Sequence, residues 1–390
     1  MINIKRDRRS ICVFTGSRAD YGPIAPLARR LSAEAGVDLT MLVSGGHLVP
    51  NQGMTIDAIR ADGLEVEHVV DINLAGDSAT SICKSFGLGC IGYADALDRI
   101  KPDIVLITGD RYEALAMAVV SAQQGIAIVH VGGGQLTFGS IDDRMRHAIS
   151  KLANVHFVGC EDDRRRLVRM GESPDSIFTI PGLGLDHSVL DGLLEKPVLE
   201  EELRLELTFP SFLVTFHPAT ADPVPASSTV RELLSALDEI PGAKVVFTAP
   251  NADREGEVVS RAIQRWVATN QHRSVFVPSL GQIRYLSLMW HAHLVLGNSS
   301  SGLTESPVLG TPAVNIGSRQ DGRPRSPSVV DCEGTTNAIE KAIDIALALP
   351  RRRPSLERHI RECAMGVEQM LGVLTTMNAG DLRAKVFFEE

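Results

Sequence analysis

The chain has 390 residues, room for two or three domains of roughly 150 residues each, which excludes a mini-protein held by disulfide or metal staples. With 44% hydrophobic and 22% charged residues, 34 Gly and 20 Pro, its make-up is that of a folded globular protein, not a disordered or fibrous one. Its 39 Lys and Arg against 48 Asp and Glu leave a formal charge of -9, so the long-range field repels polyanions and no nucleic-acid partner is expected; a pocket rich in Arg and backbone N–H groups can still take a small anion.

The basic start, Met1 to Arg9, leads into an apolar run, Ile11 to Phe14, far too short for a signal-peptide core. No stretch approaches a membrane span, so a cytoplasmic protein without membrane contact is expected. Short β-branched runs then alternate with helix-compatible segments: Ile11–Thr15, Leu39–Val43, Val66–Val70, Ile104–Thr108, Ile126–Val131 and Val155–Val158 read as strands. Most lack polar alternation, as parallel strands covered on both faces do. Ile24–Ala33 and Ala114–Gln124 suit crossover helices. The pattern pauses over Pro181–Pro210 and restarts with Phe212–Phe216, Lys244–Thr248, Val275–Val277, Leu294–Gly297 and Ala313–Ile316, separated by helical segments such as Arg231–Leu237 and Gly256–Thr269. After Pro354 a helix is predicted to about Leu371. The reading is an α/β chain of two doubly wound, Rossmann-like domains facing a cleft, with domains at 1–185 and 186–365 and a helical segment, 366–390, that packs back on the first. The six cysteines show no C-x-x-C pair and no His at zinc-finger spacing; they read as reduced and mostly buried, with neither metal nor disulfide.

In doubly wound sheets chemistry sits at the carboxyl ends of the strands. The first strand enters "TGSRADYG", where Gly16 and Ser17 allow a tight turn and Arg18 adds a charged fork for an anion; a plain strand-to-helix turn reads equally well. The strand Ile104–Thr108 delivers Asp110, and "HVGGGQLTFGSIDDRMRHAISK" follows the next, with Gln135, Asp142 and His147. Asp110 and Asp142 also suit helix caps, and His147 a packed core position. The strand Phe212–Phe216 delivers His217, fixed by Pro218. Then "NSSSGLTES" offers Asn298, Ser299, Ser300, Ser301 and Gly302 at a helix start, with Glu305 one turn on and Arg319, Arg323 and Arg325 nearby, a set that suits a diphosphate and a ribose.

"TGSRADYG", "GDRYEALA", "GSIDDRMRHAISKLANVHFV", "FHPAT" and "GNSSSGLTESPVLGTPAVNIGSRQDGR" together, in this order, resemble the hydrolysing UDP-N-acetylglucosamine 2-epimerases of the sialic and legionaminic acid precursor type over about residues 10–331. The resemblance implies a two-domain fold of the glycosyltransferase B type and hydrolytic inversion at C2 of a UDP-2-acetamido sugar. The products would be UDP and the free manno-configured sugar, formed through a glycal. It implies no cofactor and no metal, UDP-sugar and UDP as partners, and a homodimer or homotetramer. It implies Arg18, Asp110, Asp142 and His217 at the catalytic cleft, with Ser300, Ser301, Gly302 and Glu305 at the diphosphate and ribose. After His130 the family usually has Glu or His, then Gly-Gly and an acid, whereas this chain has Gly132-Gly133-Gly134-Gln135, which leaves room for a 4-acetamido-6-deoxy sugar. A non-hydrolysing epimerase, a B-type glycosyltransferase and a non-enzymatic nucleotide-sugar sensor are the rival readings.

Overall fold

A computed structural model describes residues 8–183, 187–251, 253–351, 356–377 and 385–389. The boundary expected between residues 185 and 186, and the start of the last helix at Pro354, lie outside the described residues. The first half of the chain forms β1 (Arg9–Thr15), β2 (Val37–Ser44), β3 (His68–Val70), β4 (Ile104–Thr108), β5 (Ala127–Val131), β6 (Val155–Val158) and β7 (Ile177–Thr179). The second half forms β8 (Ser211–Thr215), β9 (Lys244–Thr248), β10 (Ser274–Val277), β11 (Leu294–Gly297), β12 (Ala313–Ile316) and β13 (Val329–Cys332). The sheets have the orders β3-β2-β1-β4-β5-β6-β7 and β10-β9-β8-β11-β12-β13. Every pairing in them is parallel.

Apolar residues on successive positions send side chains to opposite faces, so each sheet has a core on both sides. Ile11 and Val13 enter one cluster and Cys12 and Phe14 another, while Phe212 and Val214 are separated from Leu213 in the same way. The two strands that reading the sequence missed, β7 and β13, are both at sheet edges, where three or four residues, most of them partly exposed, carry little apolar signal.

The first helix runs Arg18–Ser32, beginning six residues before the predicted Ile24 and passing through Pro23 and Pro26. Burial of Tyr21, Ile24, Leu27 and Leu31 along one face offsets what the prolines cost. The last helix, Leu356–Thr376, continues past Leu371 and crosses between the halves. Its Cys363 joins an apolar cluster of the second sheet, whereas Val367, Met370, Leu371 and Leu374 pack into the core of the first. Cys83 is exposed and only Cys12 and Cys363 are buried, fewer than expected; among the described residues no cysteine is in a disulfide. Among the described residues no helix is long and apolar enough to cross a membrane, and no group of three or more His, Cys, Asp or Glu side chains could hold a metal ion.

Candidate active site

Strand order reverses between β1 and β4 and again between β8 and β11, and the chain leaving these strands diverges around a crevice. The two crevices face each other and form one cleft of about 610 Å³. Its first wall carries Arg18, Asp20, Asp110, Gln135, Asp142 and Arg146, and its second carries His217, Ser299, Ser300, Ser301, Glu305, Arg319 and Arg323.

Asp110 follows Gly109, whose φ of 90° turns the chain out of β4; a Cβ there would lie 2.4 Å from Asp20 Oδ1. Burial raises the Asp110 carboxyl, but Arg146, Arg323 and Arg319 outweigh it and hold Asp110 below its ordinary value. Arg146, 2% exposed, donates to Asp110 Oδ2, to Gln135 O at 3.0 Å and to Asp143 Oδ1 at 3.3 Å. Asp142, in the first turn of the helix Asp142–Leu152, is driven the other way: burial and the charges of Asp110 and Asp253 push its carboxyl up to about 7. The cleft thus holds one carboxylate kept ionised and one that keeps its proton near neutrality, the division of labour that acid and base catalysis needs.

A third carboxyl, Asp20, is pushed up to about 8 by burial and by Glu113, and accepts a hydrogen bond from Ser17 Oγ at 3.0 Å. Arg111 ties the halves together, pairing with Glu113 at 3.3 Å and with Asp253 of the second domain at 2.8 Å, all of them buried.

On the opposite wall, His217 is held by three bonds. Asn298 accepts from His217 N–H at 2.7 Å and donates to its carbonyl at 2.8 Å, and the Asn251 N–H donates to Nδ1 at 3.0 Å. Nδ1 is therefore the acceptor, and burial with three nearby arginines drives the ring's acidity up, so a neutral imidazole presents Nε2–H. Gly297 (φ 135°) turns the chain from β11 so tightly that a Cβ would sit 2.1 Å from Thr215 O. The expected helix start is a 3-10 turn, Ser300–Gly302, followed by a five-residue helix, Glu305–Leu309. Ser301 Oγ bonds Tyr285 Oη at 2.6 Å and Ser299 Oγ at 3.0 Å. Arg319 and Arg323 each leave a buried Nε without a hydrogen-bond partner, and burial with Arg146 pushes Arg323 down to about 10. Unpaired buried guanidinium donors are costly unless an anion meets them.

Five expected contacts are placed elsewhere. Ser17 turns its hydroxyl to Asp20, Asn298 serves the His217 backbone, and Gly302 is the buried last residue of the 3-10 turn; none of the three lines the cleft. His147 is on the far side of its helix, 3.6 Å from Asp143, because it stands five residues after Asp142 and so faces away. Arg18 lines the cleft, yet its guanidinium donates to the carbonyls of Ala249 (3.1 Å) and Pro278 (3.3 Å), bridging the domains. Arg325 turns away onto Asp331 at 2.8 Å. Neither Asp110 nor Asp142 caps a helix: the N-cap residues are Arg111 and Ile141. Sequence reasoning missed Asp20, Arg111, Arg146 and Tyr285 as site residues; for Arg146 the signal was its i+4 spacing from Asp142.

The family model for UDP-N-acetylglucosamine 2-epimerase matches residues 29–362. The chain is 36% identical to a hydrolysing GDP/UDP-N,N'-diacetylbacillosamine 2-epimerase of Campylobacter jejuni subsp. jejuni, covering 86% of this chain and 87% of that one. It is 31% identical to a hydrolysing UDP-N,N'-diacetylbacillosamine 2-epimerase of Legionella pneumophila, covering 88% and 90%. Its fold is shared with the crystal structure of UDP-GlcNAc 2-epimerase from Neisseria meningitidis bound to UDP-GlcNAc, with a TM-score of 0.76 at 18% identity over 93% of this chain and 100% of that one. The facing parallel sheets, the cleft between them and these matches along most of the length lead to one conclusion: the chain belongs to the UDP-N-acetylglucosamine 2-epimerase family.

Proposed function

We propose that this cleft hydrolyses a UDP-2-acetamido sugar with inversion at C2, releasing UDP and the free manno-configured sugar. The observation that carries this reading is the pair Asp110 and Asp142, facing one cleft with their carboxyls shifted in opposite directions beside arginines with unpaired Nε donors. The C2–H is not acidified by a carbonyl, so it becomes removable only as the bond from C1 to the diphosphate breaks. Ionised Asp110 takes that proton while C1 gains oxocarbenium character, leaving a glycal. Arg319 and Arg323, with Nε2–H of His217, would receive the negative charge that moves onto the departing UDP. Water then adds at C1 and protonated Asp142 delivers its proton to C2 from the opposite face. Both carboxyls reset by exchange with solvent.

In this scheme the sugar lies against residues of the 1–185 portion and the nucleotide against those of 186–365, with Ser300, Ser301 and Glu305 toward the diphosphate and ribose. Gly132 meets no atom within 4 Å of where a Cβ would stand, and Gln135 lines the cleft with an amide that donates and accepts. Room and an amide favour a 2,4-diacetamido-2,4,6-trideoxy sugar, the substrate class in the names of the two relatives above. Such a product suits the making of nonulosonic acids of the legionaminic type in the cytoplasm. Self-association through the helix Ala79–Ile100, whose Leu88 and Ile91 are exposed, would complete a homo-oligomer.

The test is a product assay with UDP-diacetamido sugar and UDP-N-acetylglucosamine side by side in oxygen-18 water. Free UDP and one solvent oxygen at C1 are expected, with the diacetamido sugar turned over at least as efficiently. Interconversion of UDP-sugars without free UDP would overturn the hydrolytic reading, and efficient turnover of UDP-N-acetylglucosamine alone would overturn the sugar assignment.

A further inference from the structure

The helix that carries Asp142 and Arg146 is only partly capped by its own sequence, through Ser140 Oγ, which accepts the Asp142 N–H at 3.3 Å. Its N-cap is Ile141, which has no side-chain acceptor, and its third residue is Arg144, which cannot reach back to accept the N-cap N–H as a Glu or Gln would. The missing acceptor comes from the other domain: the Ile141 N–H donates to Thr220 Oγ1 at 2.9 Å. The same hydroxyl lies 3.4 Å from Ser140 Oγ, and Ser140 Oγ donates to Asp142 Oδ2 at 2.9 Å. A hydroxyl has one proton. With the Ser140 proton on Asp142 Oδ2, the acid's own proton is carried by the other oxygen, Oδ1, and Thr220 donates to Ser140, so that the chain of bonds runs from Thr220 through Ser140 to Asp142. Next to it the Ala221 N–H donates to Gly139 O at 3.2 Å. Thr220 follows His217 by three residues on the loop leaving β8, so one segment of the second domain holds both the imidazole and this hydroxyl.

We propose that Thr220 is a positioning residue for the reaction: it caps the helix of Asp142 across the domain boundary and orients the Asp142 carboxyl through Ser140, so that the acid is in place only while the second domain is seated against the first. This rests on the reading of Asp142 as the proton donor. Thr220→Val keeps the shape and removes the hydroxyl. It is expected to lower kcat about tenfold, the scale of a misplaced catalytic group, with KM and UDP affinity within about twofold. Thr220→Ser is expected to restore kcat to within about threefold, and in a Ser140→Ala background Thr220→Val should cost less than about twofold more, because the relay is already cut. A kcat within about twofold of the parent in Thr220→Val, or equal losses in the Val and Ser variants, or a rise in KM with kcat unchanged, overturns the proposal. Asp142→Asn in the same assay separates the two claims. Near-native turnover there overturns the assignment of Asp142 and the Thr220 role with it, whereas an inactive Asp142→Asn beside a fully active Thr220→Val overturns only the latter.

Discussion

Replacing Arg146 by Met tests whether Asp110 is the base and why it stays ionised. Arg146 is buried to 2% exposure and its guanidinium is shared among Asp110, Asp143 and the Gln135 carbonyl. An adjacent arginine lowers a carboxyl by about 1–3 pH units, and one unit is about 1.4 kcal/mol. Arg323 and Arg319 remain in the variant, so only part of the effect on Asp110 is removed. A base works ionised, so the acid limb of kcat/KM marks its titration; in Arg146→Met this limb is expected to move up by about 1–3 pH units. The loss of activity is then largest at low pH and shrinks as pH rises. Stability follows the same sign. Asp110 is lowered by folding, so its contribution is present above the ordinary carboxylate range and lost as pH falls below it, and removing Arg146 takes that contribution away. Breaking the buried pair should also cost about 3–5 kcal/mol in urea unfolding, and Arg146→Lys less. UDP release followed from about pH 3 to 9, reaching below the ordinary carboxylate range where the parent's acid limb lies, is the assay. An acid limb that does not move would refute the reasoning, since Arg146 would then not set the ionisation of the base.

Asp142→Asn is expected to reduce turnover by about a hundredfold or more while calorimetry finds UDP affinity within about twofold. Because Asp142 acts with its proton on, the parent enzyme should lose activity as pH rises through about 7, and this basic limb should vanish in the variant. Arg323→Met should weaken UDP binding by about 1.5–3 kcal/mol, the worth of a charge-assisted hydrogen bond, measured by titration calorimetry; unchanged affinity would move the diphosphate away from the unpaired Nε groups. Gly297→Ala should destabilise the protein by more than about 1 kcal/mol in urea unfolding, since its φ of 135° and the 2.1 Å approach to Thr215 O leave no place for a methyl group.

The sheets were legible because most of their strands are predominantly apolar runs: Ile104–Thr108, Val155–Val158, Lys244–Thr248, Leu294–Gly297 and Ala313–Ile316 coincide with observed strands. Strand ends then pointed to Asp110, Asp142 and His217 without knowledge of distances. What a linear reading could not supply is where a side chain's hydrogen bonds end. Asn298 and Ser17 carry polar groups at the right edge, but both are occupied within the protein, one on the His217 backbone and one on Asp20. Arg18 reads as an anion fork, and only the position of β9 and β10 reveals the carbonyls it meets. Asp20 was hidden for a related reason: the turn expected through Gly22 is already helix, which places Asp20 in the first turn, facing Gly109.

The last helix has a consequence for how the chain is made. Four of its residues, Val367, Met370, Leu371 and Leu374, complete the core of a sheet whose strands end at Thr179, almost two hundred positions upstream. During synthesis the first half therefore emerges without part of its own interior and keeps an oily stripe open until the helix Leu356–Thr376 has also emerged. A fragment ending after β7 inherits that stripe permanently and should self-associate. The arrangement makes the second domain, in effect, an insertion within the first, and gives the arrival of this helix the role of closing the first core.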